Sequence, residues 1–189
     1  MRYAEDHKAQ TRQRIIDEAA RLFRRDGVGA TGLQPLMKSL GLTHGGFYAH
    51  FKSKDELVET ALRQSADTLT AVTTKMTDSD QPLAGLIRGY LSTSHRANPG
   101  EGCPLPTISA ELGQRGAPSP TTDDLVRSRL STIQACLNSE HADEQSVLIL
   151  SAMVGALLLS RSVSDPELSD RLLKTTRRLL IEQNTGETA

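Results

Sequence analysis

An all-α fold is what this 189-residue sequence predicts, and three observations carry it. No run of Val, Ile or Thr alternates at period two, so no half-buried strand is signalled. Apolar residues recur instead at helical spacing, between clusters of Gly, Pro, Ser and Asp that start and stop helices. Aromatics make up only 3% with no Trp, so the core is mainly aliphatic and drawn largely from the good helix formers Leu and Ala. At 37% hydrophobic and 24% charged residues, the chain buries a sizeable core in one large or two small domains.

The first helix lies between about Asp6 and Asp26. There Ile15, Ala19, Leu22 and Phe23, with Ile16 and Ala20 alongside, form one amphipathic stripe that Gly27 ends. Arg12, Arg14, Arg21, Arg24 and Arg25 fall mostly off the stripe and are expected to face solvent, phosphate or both. After the link Val28 to Gly32, Leu33, Leu36, Met37 and Leu40 share one face of a second helix of about two turns. Pro35 is tolerated in its first turn, where the missing N–H is not needed. Gly41 closes this helix because it tolerates the left-handed conformation, and Thr43 caps the next with its hydroxyl.

That next helix, His44 to Phe51, gathers Gly45, Gly46, the aromatics Phe47, Tyr48 and Phe51, and the histidines His44 and His50. Phe47 and Phe51 supply a buried side, leaving His44 and Tyr48 on the outward face. Each glycine costs about 1 kcal/mol of helix propensity relative to alanine, which a close fit against another surface explains. A helix, a glycine-containing turn and a second short helix have the spacing of a helix-turn-helix.

Beyond it, Ser53 and Glu56 fit a capping box, and Val58, Leu62, Ser65, Leu69, Val72 and Met76 hold one stripe for about five turns. A further helix is expected from Leu83 to about Ala97. The interval Asn98 to Pro120 is rich in Pro and Gly, with one short helix expected between Thr107 and Leu112; such a loop-rich interval in a helical domain is often functional. Helix resumes at about Thr122 to Asn138. Asp143 caps a helix whose Val147 to Leu159 stretch is apolar on nearly every side and must be buried on nearly every side. Asp165-Pro166 starts the last helix, where Leu168, Leu172, Leu179 and Leu180 form a stripe.

The net charge of −1 hides an asymmetry. Residues 1–54 hold ten bases and five acids, a balance of +5 that leaves −6 for the remainder. One basic end suits contact with a polyanion. The two cysteines, Cys103 and Cys136, are too few for a disulfide framework and belong to no metal-binding pattern. The N-terminus lacks the apolar run of a signal peptide. The most apolar stretch, Val147 to Leu159, is short of the roughly 20 residues that cross a bilayer, so a cytoplasmic protein with no membrane contact is expected. No H-E-x-x-H, G-x-S-x-G or phosphate-binding glycine loop occurs, so neither an enzyme nor a cofactor or metal site is expected.

Gly41-Leu42-Thr43, the pair Phe47-Tyr48, His50-Phe51-Lys52-Ser53-Lys54 and Leu57 strongly resemble the DNA-binding domain of TetR-family transcriptional regulators. The likeness runs from about Lys8 to Leu62; the remainder resembles the family in length and helical pattern. It implies a three-helix helix-turn-helix DNA-binding domain over residues 1–54, a connector helix over about 54–77, and a helical effector-binding and dimerisation domain over 78–189. His44 and Gly46 would sit at base edges with Gly45 permitting close approach, while Thr31, Thr43, Tyr48, His50 and Lys54 would contact phosphate. Two positions depart from the family pattern: His44, where Lys is common, and Gly32, where Ser or Thr is usual.

The resemblance further implies a homodimer in which the last two helices form a four-helix bundle with a second subunit, placing Ser151, Gly155, Leu159, Leu168, Leu172 and Leu179 at the interface. Independently, Ser151 and Gly155 are small residues four apart that let helices approach closely. A two-fold dimer suits a palindromic double-stranded operator. The expected activity is repression relieved by a small-molecule effector. The alternative is a thiol-based sensor using Cys103, which lies in Pro99-Gly100-Glu101-Gly102-Cys103-Pro104 ahead of a helix start that favours the thiolate.

Overall fold

A computed structural model of the chain describes residues 2–77 and 80–185, with side chains described for residues 6–69 and 80–184. All regular structure among them is helical: α1 Arg2–Asp26, α2 Leu33–Ser39, a 3-10 helix His44–Ala49, α3 Lys54–Thr77, α4 Pro82–Tyr90, α5 Thr93–Ala97, α6 Ala110–Gln114, α7 Pro120–Gln134, α8 Ala142–Ser162 and α9 Pro166–Thr185. A 3-10 turn (Pro99–Glu101) and a π-helical turn (Leu105–Ser109) precede α6. Val72 and Met76, expected on the α3 stripe, lie outside the residues whose side chains are described.

The chain forms two compact units. The first comprises residues 1–67 together with 100–121, so a segment well beyond the expected 1–54 head packs with it. Its core joins Ile15, Ile16, Ala19, Ala20 and Phe23 of the predicted α1 stripe, whose Leu22 is only half-buried, to Leu36 and Met37 of α2, to Phe47 and Phe51, and to Leu57, Val58, Ala61 and Leu62 of α3. Cys103, Leu105 and Ile108 are buried in the same unit. The 100–121 segment approaches α1 so closely that a Cβ on Gly100 would lie 3.1 Å from Arg21 Cγ and 3.3 Å from the Arg21 carbonyl oxygen.

The second unit comprises residues 68–99 and 122–189. Helix α8 packs on α9, α4 on α9, and α5 on α8. Leu83, Ala84, Leu86, Ile87 and Leu91, with Ile149, Leu150, Met153, Ala156 and Leu157 of α8 and Leu173, Leu180 and Ile181 of α9, are among the buried aliphatic residues of this unit. Buried Ser169 donates through Oγ to the Ser160 carbonyl at 2.6 Å, which draws α8 and α9 close. Arg161 donates to the His95 and Arg96 carbonyls. Its guanidinium thereby satisfies carbonyls at the end of α5 that no helical N–H reaches.

Several boundaries differ from the sequence reading. The expected helix Leu83 to Ala97 is two helices: Ser92 has extended backbone and its Oγ accepts from the His95 N–H, capping α5. The short helix expected at Thr107 to Leu112 is a π turn running into α6, and α7 stops at Gln134 instead of Asn138. His141, not Asp143, holds the N-cap of α8; Asp143 lies in the first turn, where its charge favours the helix dipole. Helix α8 also exceeds the 13-residue apolar stretch: its 21 residues are enough, by length and composition alone, to cross a membrane. It is not buried on nearly every side as expected, because Ile149, Met153 and Leu157 are buried within the unit whereas Val147, Leu148, Leu158 and Leu159 are exposed. On α9 the buried side is Ser169, Leu173, Leu180 and Ile181, whereas Leu168 and Leu172 are half-buried and Leu179 exposed.

Candidate nucleic-acid interface

The turn between α2 and the 3-10 helix is built as the glycine position demands. Gly41 has φ 72, its N–H donates to the Lys38 carbonyl at 3.0 Å, and the Leu42 N–H donates to the Met37 carbonyl at 2.9 Å. This is a Schellman closure, which only a residue at ease in the left-handed region completes without strain. Thr43 then caps the next helix, its Oγ1 accepting from the Gly46 N–H at 3.2 Å.

The capped helix is 3-10, six residues long. Phe47 is fully buried and stacks on Phe51 with ring centroids 5.5 Å apart. Arg12 lies with its guanidinium carbon 4.6 Å from the centre of the Phe51 ring, a cation–π contact. With that side anchored, His44, Gly45, Tyr48 and Ala49 are exposed. Tyr48 is 60% exposed although large and aromatic, and His44 meets its ring edge-on at 6.0 Å. The two glycines differ: a Cβ at Gly45 meets nothing within 4 Å, whereas one at Gly46 would come 3.3 Å from the Thr43 cap oxygen. Gly46 therefore has a local reason to be glycine, and Gly45 is free for an outside surface.

His50, half-buried, carries a buried Nδ1 with no hydrogen-bond partner. Burial, then the charges of Lys8 and Arg12, hold its pKa below the ordinary histidine value. Thr31 is buried and donates through Oγ1 to the Gly27 carbonyl at 2.7 Å. Lys54 donates to the Val28 carbonyl at 2.5 Å, and burial with the Arg115 charge lowers its pKa. Thr31 and Lys54, expected at phosphate, thus hold the loop between α1 and α2 in the DNA-free chain. Ser53 and Glu56 make the predicted capping box with one change: Ser53 Oγ accepts from the Glu56 N–H, while Glu56 Oε2 accepts from Lys52 instead of Ser53.

Of the arginines expected to face solvent or phosphate, Arg24 does not. It is half-buried, donating from Nε to the Gly100 carbonyl and from Nη1 to Ser65 Oγ, each at 2.6 Å. Arg21 pairs with Glu18 and Arg25 with Asp26, both at 2.7 Å. The Gly27–Gly32 loop shows what the sequence did not signal. Glu111 accepts the Val28 N–H at 2.5 Å and the Gly29 N–H at 2.6 Å, and Arg115 pairs with its carboxylate. Spacing offered no clue, because Glu111 lies 82 residues from Gly29.

The remaining expected sites fall as follows. Cys103 is 2% exposed and in the first unit. Cys136 donates to the Thr132 carbonyl, and burial raises its pKa. On α8, Val147, Leu148, Ser151, Leu158 and Leu159 are exposed along one face, Leu148 to 62% and Leu159 to 51%. Gly155 lies on the same face with nothing within 4 Å of where its Cβ would be. Among the described residues no group of three or more His, Cys, Asp or Glu side chains is placed to hold a metal ion.

A family model described as bacterial regulatory proteins, tetR family, matches residues 15–61, the span that carries the second half of α1, α2, the 3-10 helix and the start of α3. An uncharacterized HTH-type transcriptional regulator of Mycobacterium tuberculosis is 28% identical over 188 residues, covering 91% of this chain and 95% of its own. A second M. tuberculosis protein, an HTH-type transcriptional repressor, is 29% identical over 89 residues, 47% of this chain and 45% of its own. Among solved structures, a TetR transcriptional regulator from Chloroflexus aurantiacus superposes with a TM-score of 0.78 at 21% identity, over 95% of this chain and 98% of that one.

Proposed function

This chain belongs to the TetR family of transcriptional regulators, and from that premise we propose a cytoplasmic homodimeric repressor that a small-molecule effector releases from a palindromic DNA operator. The observation that carries the reading is the short helix anchored by Phe47 and Phe51, with His44, Gly45 and Tyr48 held outward. A major groove admits one helix and offers base edges to such a face, while phosphates line its margins. His44 takes the base-edge role with Gly46 beside it, and Gly45 gives room for the duplex. Thr43, Tyr48 and His50 take phosphates, as do Thr31 and Lys54 once their present partners are exchanged. The orphaned Nδ1 of His50 beside Lys8 and Arg12 suits an anion.

Dimerisation is supported by the exposed apolar face of α8, with Leu168, Leu172 and Leu179 of α9 contributing. A lone protomer leaves this surface in water, whereas a second copy buries it against an equivalent face. The division into a DNA-binding part and an effector-binding part belongs to the same proposal, as does the direction of control. An effector shifts occupancy only by its differential affinity for the two states. The thiol-sensor alternative has the burial of the Cys103 thiol against it.

Selection of duplexes by the purified protein from a random library tests the reading. An enriched inverted repeat whose half-sites are about one helical turn apart is expected. Enrichment of no sequence, or of single half-sites only, overturns the dimeric operator reader.

A further inference from the structure

We infer that Glu111 is a positioning residue for DNA binding, whose carboxylate holds the Val28–Gly29 backbone and so fixes the loop from which the helix-turn-helix departs. This rests on the DNA-binding reading above. The loop Gly27–Gly32 has no regular structure of its own, so its backbone polar groups need partners from elsewhere. Both oxygens of one carboxylate take the N–H groups of Val28 and Gly29, at 2.5 and 2.6 Å. Lys54, the first residue of α3, takes the Val28 carbonyl at 2.5 Å. The loop is gripped by two charged side chains, one from the element that follows the reading helix and one from α6.

Gly29 gives an independent sign of the same clamp. Its φ is not in the left-handed region, so backbone freedom does not require a glycine there. What fills the place of a side chain is the clamp itself: a Cβ would lie 2.8 Å from Glu111 Oε1 and collide with Arg115 Nη2. Arg115, four residues after Glu111, neutralises the carboxylate, so the clamp brings no bare negative charge near a polyanion. Loss of the carboxylate leaves two N–H groups unpartnered and the loop free to shift, and α2 with the reading helix shifts with it.

The test uses the full-length protein and a duplex enriched by the parent from a random library. DNA affinity is titrated at a temperature where every variant is folded, and amide exchange is followed at Val28 and Gly29. Glu111→Ala and Gly29→Ala are each expected to weaken binding by about tenfold or more and to speed exchange, because a charged group's hydrogen bonds are lost in both. Glu111→Gln keeps one acceptor oxygen and should fall between. Since both substitutions remove one clamp, the double variant should bind no worse than the weaker single; multiplied losses would mean independent effects and overturn the inference. If Glu111→Ala does not fold, Gly29→Ala decides, because only flexible side-chain ends stand in its way. Variants that bind like the parent overturn the inference alone, even if exchange speeds up. A parent that enriches no DNA overturns the regulator reading and this inference with it.

Discussion

Arg24 and Ser65 join α1 to α3 through a 2.6 Å hydrogen bond from the guanidinium Nη1 to the serine oxygen. The same guanidinium reaches the Gly100 carbonyl through Nε, also at 2.6 Å. Arg24→Ala should therefore destabilise the first unit by about 2–3 kcal/mol, the scale of lost bonds to a charged donor. It should leave the salt dependence of DNA binding unchanged, since Arg24 neutralises no phosphate. Denaturant melts and salt titrations of the variant check both halves; a shallower salt slope would return Arg24 to the DNA face.

Tyr48→Ala should weaken binding to every duplex, because a phosphate contact positions without specifying. His44→Ala should instead relax preference at one base position in each half-site, with a discrimination loss of about 1–3 kcal/mol. Competition titrations with single-base variants of the operator distinguish the two. Equal weakening of all duplexes by His44→Ala contradicts its base-reading role.

Gly155→Leu should be absorbed within the protomer, where nothing stands within 4 Å of the added Cβ. Its effect is expected at the subunit contact, where overfilling costs about 1–3 kcal/mol. Sedimentation of parent and variant across a concentration series should show the variant dissociating at higher concentration with an unchanged monomer melt. A parent that sediments as a monomer removes the basis of the dimer.

His95 lowers acid stability. Burial, opposed by the hydrogen bond to the Tyr90 carbonyl, holds its folded pKa below the ordinary value, and the Arg161 charge adds to the depression. The unfolded chain therefore binds this proton more readily than the folded one. Its contribution is fully present above the unfolded value of about 6.5 and is lost as pH falls through the lower folded value. His95→Asn, able to donate to the same carbonyl, should flatten the fall in melting temperature between neutral and mildly acidic pH. An unchanged slope would show that another group titrates.

Cys103→Ser should bind DNA as the parent does and keep its full response to an apolar effector. If Cys103 is the switch, an oxidant releases the parent and Cys136→Ser from DNA but not Cys103→Ser, and a reductant restores binding. Mobility shifts of the three proteins with and without oxidant decide it. The burial of Cys103 favours identical behaviour.

The parts of the fold written in local code were legible. Gly41, Thr43, Ser53 with Glu56, and Asp165 each announce a helix end through contacts within a few residues, and the structure places helix ends there. The division of the helix after Pro82 turned on Ser92, which caps α5 at the start of the polar run Ser92 to Arg96, a cap signal that the apolar run from Leu83 to Leu91 masked. The α9 stripe was misdrawn because Leu168, Leu172, Leu179 and Leu180 do not share one face, and a partly exposed leucine looks like a buried one in sequence. Arg24 and Glu111 were opaque for another reason. Their partners lie 41 to 83 residues away, and nothing in a charged residue's immediate neighbours tells solvent from a backbone group across the fold.

The packing of residues 100–121 with the N-terminal head bears on how such proteins are recombined. Chimeras that exchange DNA specificity are naturally cut in the linker after the reading helix, on the assumption that the head is a contiguous module. Here a graft of residues 1–54 alone would arrive without the carboxylate at Glu111, the carbonyl at Gly100 and the apolar side chains of Leu105 and Ile108. The recipient's own segment would have to supply them by chance. A transplantable reader from this chain is a discontinuous one, and a functional hybrid requires two crossovers flanking residues 100–121 in addition to the one near Asp67.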